Sequence, residues 1–236
     1  MDLVYNYVIP LTIMIIFIVL FVIISTKKYK NAPESKKMFP IKILYFSLLV
    51  FEIFKIAYLI SKDGVFTTSR YPIVFCSMIF YTIPLFCFKE NKFSNVAKAF
   101  TIFPSIIAFI LFVAIQHSFK MSLIQGHSYY YHGAMMAIAI YLITSKSYKF
   151  EFKGFYSLFL SVSGYIMFAM VLSLLLKSDI SYFGPNCSYL GFLYKNFGYA
   201  VGNVLLIIVI FILCLLVYGI ISIFNKKKVK VEKEEI

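Results

Sequence analysis

At 236 residues the chain is 61% hydrophobic and only 14% charged, whereas a soluble domain runs about 45–50% apolar and about 25% charged. No water-facing surface is large enough to cover such a core, and 19% aromatics, 10 glycines and four cysteines exclude disorder, collagen and a disulfide scaffold as well. The formal charge of +13, from 23 Lys and Arg against 10 acidic residues, points to cytoplasmic loops and anionic lipid; no basic face with aromatic platforms lies outside the apolar runs, which excludes nucleic acid as a partner.

The pattern predicts an all-α, polytopic integral membrane protein: one seven-helix transmembrane domain over residues 1–236. The first apolar run, Val4–Ile24, follows Asp2 and precedes Lys27, Lys28 and Lys30. A cleavable signal peptide has the opposite order of charge, so this run reads as a retained helix with its N-terminus outside. Further runs follow at Ile41–Ser61, Tyr71–Phe88, Val96–Ile115, His127–Thr144, Phe155–Leu176 and Gly198–Phe224, each long enough to cross. Seven spans then put the C-terminus inside.

The basic residues agree with that orientation. Sixteen fall in the expected cytoplasmic segments, among them Lys89, Lys92 and, at the very start of the fourth span, Lys98, and five fall in the outer segments. Lys42 and Lys55 lie inside the second span. Residues 225–236 read as a short, charged cytoplasmic tail. With no Trp, the tyrosines Tyr129, Tyr130, Tyr131 and Tyr194 are expected to supply interfacial anchors. A multi-pass protein of the cell membrane is the resulting expectation.

Polar groups inside spans are costly and therefore informative. Glu52 and Lys55, three apart on the second span, can neutralise one another on one face; a structural ion pair and an electrostatic partner for a site both remain open. His127 and His132 are five apart, about 140° around a helix, and do not share a face. No carboxylate stands beside the histidines in sequence and no metal-ligand spacing occurs, so neither metal nor cofactor is expected.

Cys76 lies about five residues into the third span, roughly 8 Å below its outer end at 1.5 Å per residue. His132 lies about five residues into the fifth span, which also starts outside, so the two match in depth. An imidazole at the depth of a thiol can act as its base. A lone cysteine in an apolar helix is more often a packing residue, and four Cys with three His give some depth match by chance. Residue chemistry alone leaves both readings open. Gly133 beside His132 permits close helix approach. Cys87, Cys187 and Cys214 suggest no chemistry. The last span has no Lys for a Schiff base, which excludes a retinal protein.

Around these residues the sequence resembles the YwaF-like family of integral membrane proteins. That family has bacterial members and a eukaryotic relative, transmembrane protein 164, that acts as a cysteine-dependent phospholipid acyltransferase. The likeness is carried by Tyr71-Pro72-Ile73-Val74-Phe75-Cys76-Ser77 running to Pro84, Leu85 and Lys89-Glu90-Asn91-Lys92, by the aromatic stretch ending in His132-Gly133, and by the outer loop near Ser181-Tyr182-Phe183 with a later segment at Gly198–Ala200. The chain departs from the family at Ser181, where Asn is usual, and at Val74, where His is frequent. The resemblance implies Cys76 as the acyl-accepting nucleophile, His132 as its base and Glu52 as a supporting acid. Ser77, Tyr81 and Tyr131 stand as neighbouring donors for substrate or oxyanion. The implied activity is a membrane acyltransferase or transacylase acting on a phospholipid or lysophospholipid. A small transporter or sensor built on Glu52 and Lys55, without catalysis, is the alternative.

Overall fold

The computed structural model describes residues 4–63, 75–88, 91–116, 120–148, 152–177 and 191–234. Tyr71, Pro72, Ile73, Val74, Lys89, Glu90, His117, Ser181, Tyr182, Phe183 and Cys187 lie outside the described residues. Within them every regular element is helical. A π-helical turn at Val4–Val8 leads into α1 (Ile9–Tyr29), followed by α2 (Glu34–Lys37), α3 (Phe39–Asp63), a 3₁₀ turn (Phe75–Met78), α4 (Ile79–Cys87), α5 (Ser94–Gln116), α6 (Leu123–Thr144), α7 (Phe152–Leu176), α8 (Gly191–Phe197) and α9 (Tyr199–Glu234).

Among the described residues five helices are long and apolar enough to cross a membrane: Val4–Tyr29, Glu34–Lys62, Ser94–Ala114, Leu158–Leu176 and Tyr199–Leu216. The other two expected spans differ for separate reasons. Cys76–Cys87 is apolar but short, and the start of its run lies outside the described residues. α6 has 22 residues, yet Gln125, His127, Ser128, three tyrosines and His132 make its first half polar. Protein covers that half: Tyr129, Tyr131 and Gly133 are buried, as are Ala134, Met135 and Ala137 beyond them. A polar helix at membrane depth is tolerated where neighbouring helices surround it.

The chain forms two compact units, Met1–Lys149 and Phe150–Ile236. In the first, α6 is central and packs on α1, α3 and α5, with α4 against α3 and α5. α1 is apolar around its circumference, so it buries only a narrow seam: Met14 and Ile18 are inside while Ile13, Ile16, Leu20 and Ile24 face outward. Where α1 meets α6 the contact is made possible by Gly133, whose Cβ, if present, would lie 2.7 Å from Met14 Cγ. Lipid chains are as apolar as the helices, so small residues and close packing hold such contacts together.

Polar bonds close both ends of this unit. At one end the Tyr7 hydroxyl donates to the Val113 carbonyl (3.0 Å), Met121 N–H donates to Asn6 Oδ1 (2.8 Å), and Ser122 caps α6 by accepting from Gln125 N–H (3.2 Å). At the other end Lys98 Nζ reaches Glu34 Oε1 (2.7 Å) and the Ser147 carbonyl (2.9 Å). Lys98, counted with the cytoplasmic segment at the start of the fourth span, sits in the second turn of α5, which starts at Ser94, and is only 6% exposed; a paired lysine can be buried where a lone one cannot.

The second unit joins α7 to α9 through Phe155, Phe159 and Phe211, with ring centroids 5.6 and 4.7 Å apart. α8 turns into α9 at Gly198, whose φ of +75° suits glycine. The backbone of α9 stays helical to Glu234, so most of the expected tail continues the last helix.

Candidate functional site

The site lies wholly in the first unit, where the 3₁₀ turn carrying Cys76 packs on α5 and is bonded to α6. The Tyr131 hydroxyl donates to the Cys76 carbonyl oxygen at 3.1 Å, fixing the cysteine turn to α6. A second tyrosine secures the helix that follows. Pro84 lies inside α4 and has no N–H, which leaves the carbonyl four residues earlier without its helical donor. That carbonyl belongs to Phe80, and Tyr45 of α3 supplies the missing bond at 3.2 Å. Ser77, next to Cys76 in the 3₁₀ turn, is buried. Tyr81 is 51% exposed, its ring on the outside of the unit.

Tyr131 is flanked by both histidines of α6. His127, one turn earlier, stacks against it with centroids 5.7 Å apart and planes at 24°; His132 meets it edge-on at 5.6 Å. His132 also stacks on Phe112 of α5 (4.3 Å, 13°), and its Nδ1 lies 2.9 Å from the Ser128 carbonyl. A carbonyl only accepts, so Nδ1 carries the proton and Nε2 keeps the lone pair. No hydrogen bond joins the Cys76 sulfur to His132 among the described residues; Tyr131 is the side chain that links the two.

Glu52 of α3 is 5% exposed. Its Oε1 is bound by Lys55 at 2.5 Å, the ion pair expected from their spacing. Its Oε2 faces His127 Nε2 at 3.4 Å, and neither of these buried atoms has a hydrogen-bond partner. The sequence places no carboxylate beside a histidine, so this contact corrects that reading. The cause is the start of α6 at Leu123, one turn before the expected boundary, which carries His127 inward to the level of Glu52. The same shift buries Tyr129 and Tyr131, each 4% exposed, in the bundle instead of at an interface.

The arrangement therefore brings together Cys76, Ser77, Tyr131, His132 and, through His127, Glu52 with Lys55. Chemically it offers a thiol, two imidazoles with different supports and a buried carboxylate held by a lysine. Cys87 and Cys214 are free and buried. No cluster of three His, Cys, Asp or Glu side chains suited to a metal ion occurs among the described residues.

No curated protein and no solved structure matches the chain. The model of the TMEM164 family matches residues 4–220, which agrees with the YwaF-like resemblance of the cysteine and histidine segments. This multi-pass membrane protein belongs to the TMEM164 family.

Proposed function

We propose that the protein is an acyltransferase or transacylase that moves acyl chains between membrane phospholipids through Cys76 and His132. The observation that carries this reading is the Tyr131 hydroxyl on the Cys76 carbonyl, which fastens the thiol-bearing turn to the helix turn of His132. His132 presents an Nε2 lone pair because its Nδ1 proton is spent on Ser128. In the first half-reaction Nε2 takes the thiol proton and Sγ attacks the ester carbonyl. The ester C–O bond breaks, and the departing lysophospholipid oxygen takes the proton back. In the second, an acceptor hydroxyl attacks the thioester, the C–S bond breaks and the thiol is restored.

The membrane setting suits that substrate. His127–His132 lies 4–9 residues into α6, about 6–14 Å along it, a depth reached by a glycerolipid ester when the helix begins at the headgroups. The reading places the chain in the cell membrane with seven spans. Cys76–Cys87 completes the third, α6 forms the fifth under cover of its neighbours, the N-terminus lies outside and the C-terminus inside. Sixteen basic residues against five favour that direction.

The test uses purified protein in lipid nanodiscs with a phospholipid radiolabelled in its acyl chain. The expected result is label on the protein that hydroxylamine removes, and label in added lysophospholipid, both absent in Cys76→Ala and His132→Ala. Full transfer by both variants ends the proposal.

A further inference from the structure

Lys42 stands one turn into α3, on a face that otherwise suits lipid. Phe39, Ile43 and Phe46 flank it at helical spacing and are 52%, 54% and 53% exposed. Its ammonium lies 5.2 Å from the ring centroid of Phe88, the residue that follows α4. Phe88 in turn meets Phe46 at 6.0 Å and Tyr45 at 6.1 Å, and Tyr45 meets Phe46 at 5.7 Å, all edge-on. Three rings from two helices thus make one shelf under the cation. Tyr45 is its buried root, bonded to the Phe80 carbonyl at 3.2 Å, whereas Phe46 and Phe88 are half exposed.

A lysine at this position of a spanning helix is costly unless an anion meets it. Among the described residues no carboxylate does. Glu34, on the short helix before α3, is held by Lys98 at 2.7 Å and faces Lys37 at 4.0 Å; Glu52 is held by Lys55. Lys28, Lys30 and Lys36 are exposed on the segment that leads into α3, so the surroundings add positive charge. On the other side of the shelf the surface stays apolar. Val50 on α3 and Leu85 on α4, one turn beyond Phe46 and Phe88, are 50% and 46% exposed. Cation, exposed rings and then aliphatic side chains follow the order in which a phospholipid presents phosphate, esters and acyl chain.

We infer that this α3–α4 face is a binding site for an anionic membrane phospholipid, its phosphate on Lys42 and one acyl chain along Phe46 and Phe88. A zwitterionic lipid brings its own cation to the phosphate, whereas an anionic one arrives with net negative charge and gains more from the ammonium. Cys76 lies at the far end of the 3₁₀ turn and α4, roughly 18 Å away by helix rise. The lipid site is therefore separate from the thiol and independent of acyl transfer.

The chain contains no Trp, so Phe88→Trp gives the full-length protein a single fluorescent reporter on the shelf. It is placed in bilayers of phosphatidylcholine and phosphatidylglycerol, with bromine on the acyl chains of one lipid or the other as quencher. Phe168→Trp, at an exposed position of α7, reports the bulk lipid. At Phe88→Trp, phosphatidylglycerol is expected to quench as though enriched about fivefold over its bulk fraction. Lys42→Gln in the same background should bring the enrichment within about twofold of bulk, and Lys42→Arg should keep it. Phe46→Trp reads the same shelf from α3 and keeps the test valid if Phe88→Trp folds poorly. Equal quenching by the two lipids at both shelf reporters overturns the inference, as does enrichment that survives Lys42→Gln. Equal enrichment at Phe168→Trp would mean a general attraction to a basic protein, and no quenching by either lipid would mean that a second copy of the chain covers the face; each also overturns it.

Discussion

Tyr131 gives its hydroxyl proton to the carbonyl of Cys76 across 3.1 Å, so the position of the thiol depends on a side chain from another helix. Tyr131→Phe keeps the ring contacts with Phe80 and His127 and removes only the hydroxyl that makes that bond. A buried hydrogen bond is worth about 1 kcal/mol net, with more lost when a partner is left unsatisfied. A loss of 1.4 kcal/mol in the transition state is tenfold in rate. Tyr131→Phe is expected to slow formation of acyl-Cys76 by about tenfold while the thermal midpoint moves by only a few degrees. An unchanged charging rate would show that the bond does not position the thiol.

The bond from Tyr45 to Phe80 answers to Pro84, and this dependence is measurable. Tyr45→Phe strands the Phe80 carbonyl in an apolar setting, at a cost of about 1–2 kcal/mol. Pro84→Ala restores an N–H to α4 and gives that carbonyl a helical donor. In the Pro84→Ala background, Tyr45→Phe is therefore expected to cost less than half as much. A double-mutant cycle of unfolding in mixed micelles reads the coupling; strict additivity would mean that Tyr45 and Pro84 do not share this carbonyl.

Apolar runs made the long helices legible from sequence, because lipid exposure demands about 20 consecutive apolar residues and α1, α3, α5, α7 and α9 meet that demand over much of their lengths. α6 obeys a different rule. It is surrounded by protein, so its first turns carry Gln125, His127 and Ser128, and a boundary drawn where the apolar stretch begins comes one turn late. The Glu52–Lys55 pair needs only spacing on one helix and was readable. The Glu52–His127 contact depends on how α3 and α6 pack, which no periodicity within either helix encodes. Lys98 illustrates the same limit: its charge assigns it to the cytoplasmic side, whereas its burial follows from Glu34 and the Ser147 carbonyl, 64 and 49 positions away in sequence.

Removing one partner of the Glu52–Lys55 pair leaves the other charge behind, and the two residues differ in how well they tolerate it. Lys55 is the more exposed, at 24% against 7% for its partner's side chain, and a long ammonium side chain can reach toward the interface. Glu52 has no such escape. Lys55→Met is expected to cost about 3 kcal/mol, and Glu52→Gln clearly less. Adding Glu52→Gln to Lys55→Met is expected to recover at least half of the loss, because the stranded carboxylate is gone. Thermal unfolding in nanodiscs ranks the three variants. A double variant weaker than Lys55→Met alone would mean that the carboxylate stabilises through its contact with His127 and not through its pairing with Lys55.

Gly133 sets the distance between α1 and α6, next to the turn that carries His132. A methyl group there would lie 2.7 Å from Met14 Cγ and 3.4 Å from its sulfur, well inside van der Waals contact. Gly133→Ala gains helix propensity, up to about 1 kcal/mol, but it must displace Met14 in a close-packed seam, and overpacking costs about 1–3 kcal/mol. The net effect is expected to be destabilising, and Met14→Ala should relieve it, because the shorter side chain vacates the space the new methyl needs. The sign of the coupling decides the matter: Gly133→Ala with Met14→Ala should be more stable than the sum of the single losses allows. Since His132 adjoins Gly133 in sequence, the single variant should also slow thioester formation, and the double variant should restore part of that rate. Stability rescued without any gain in charging would mean that the α1–α6 seam supports the fold but does not set the position of His132.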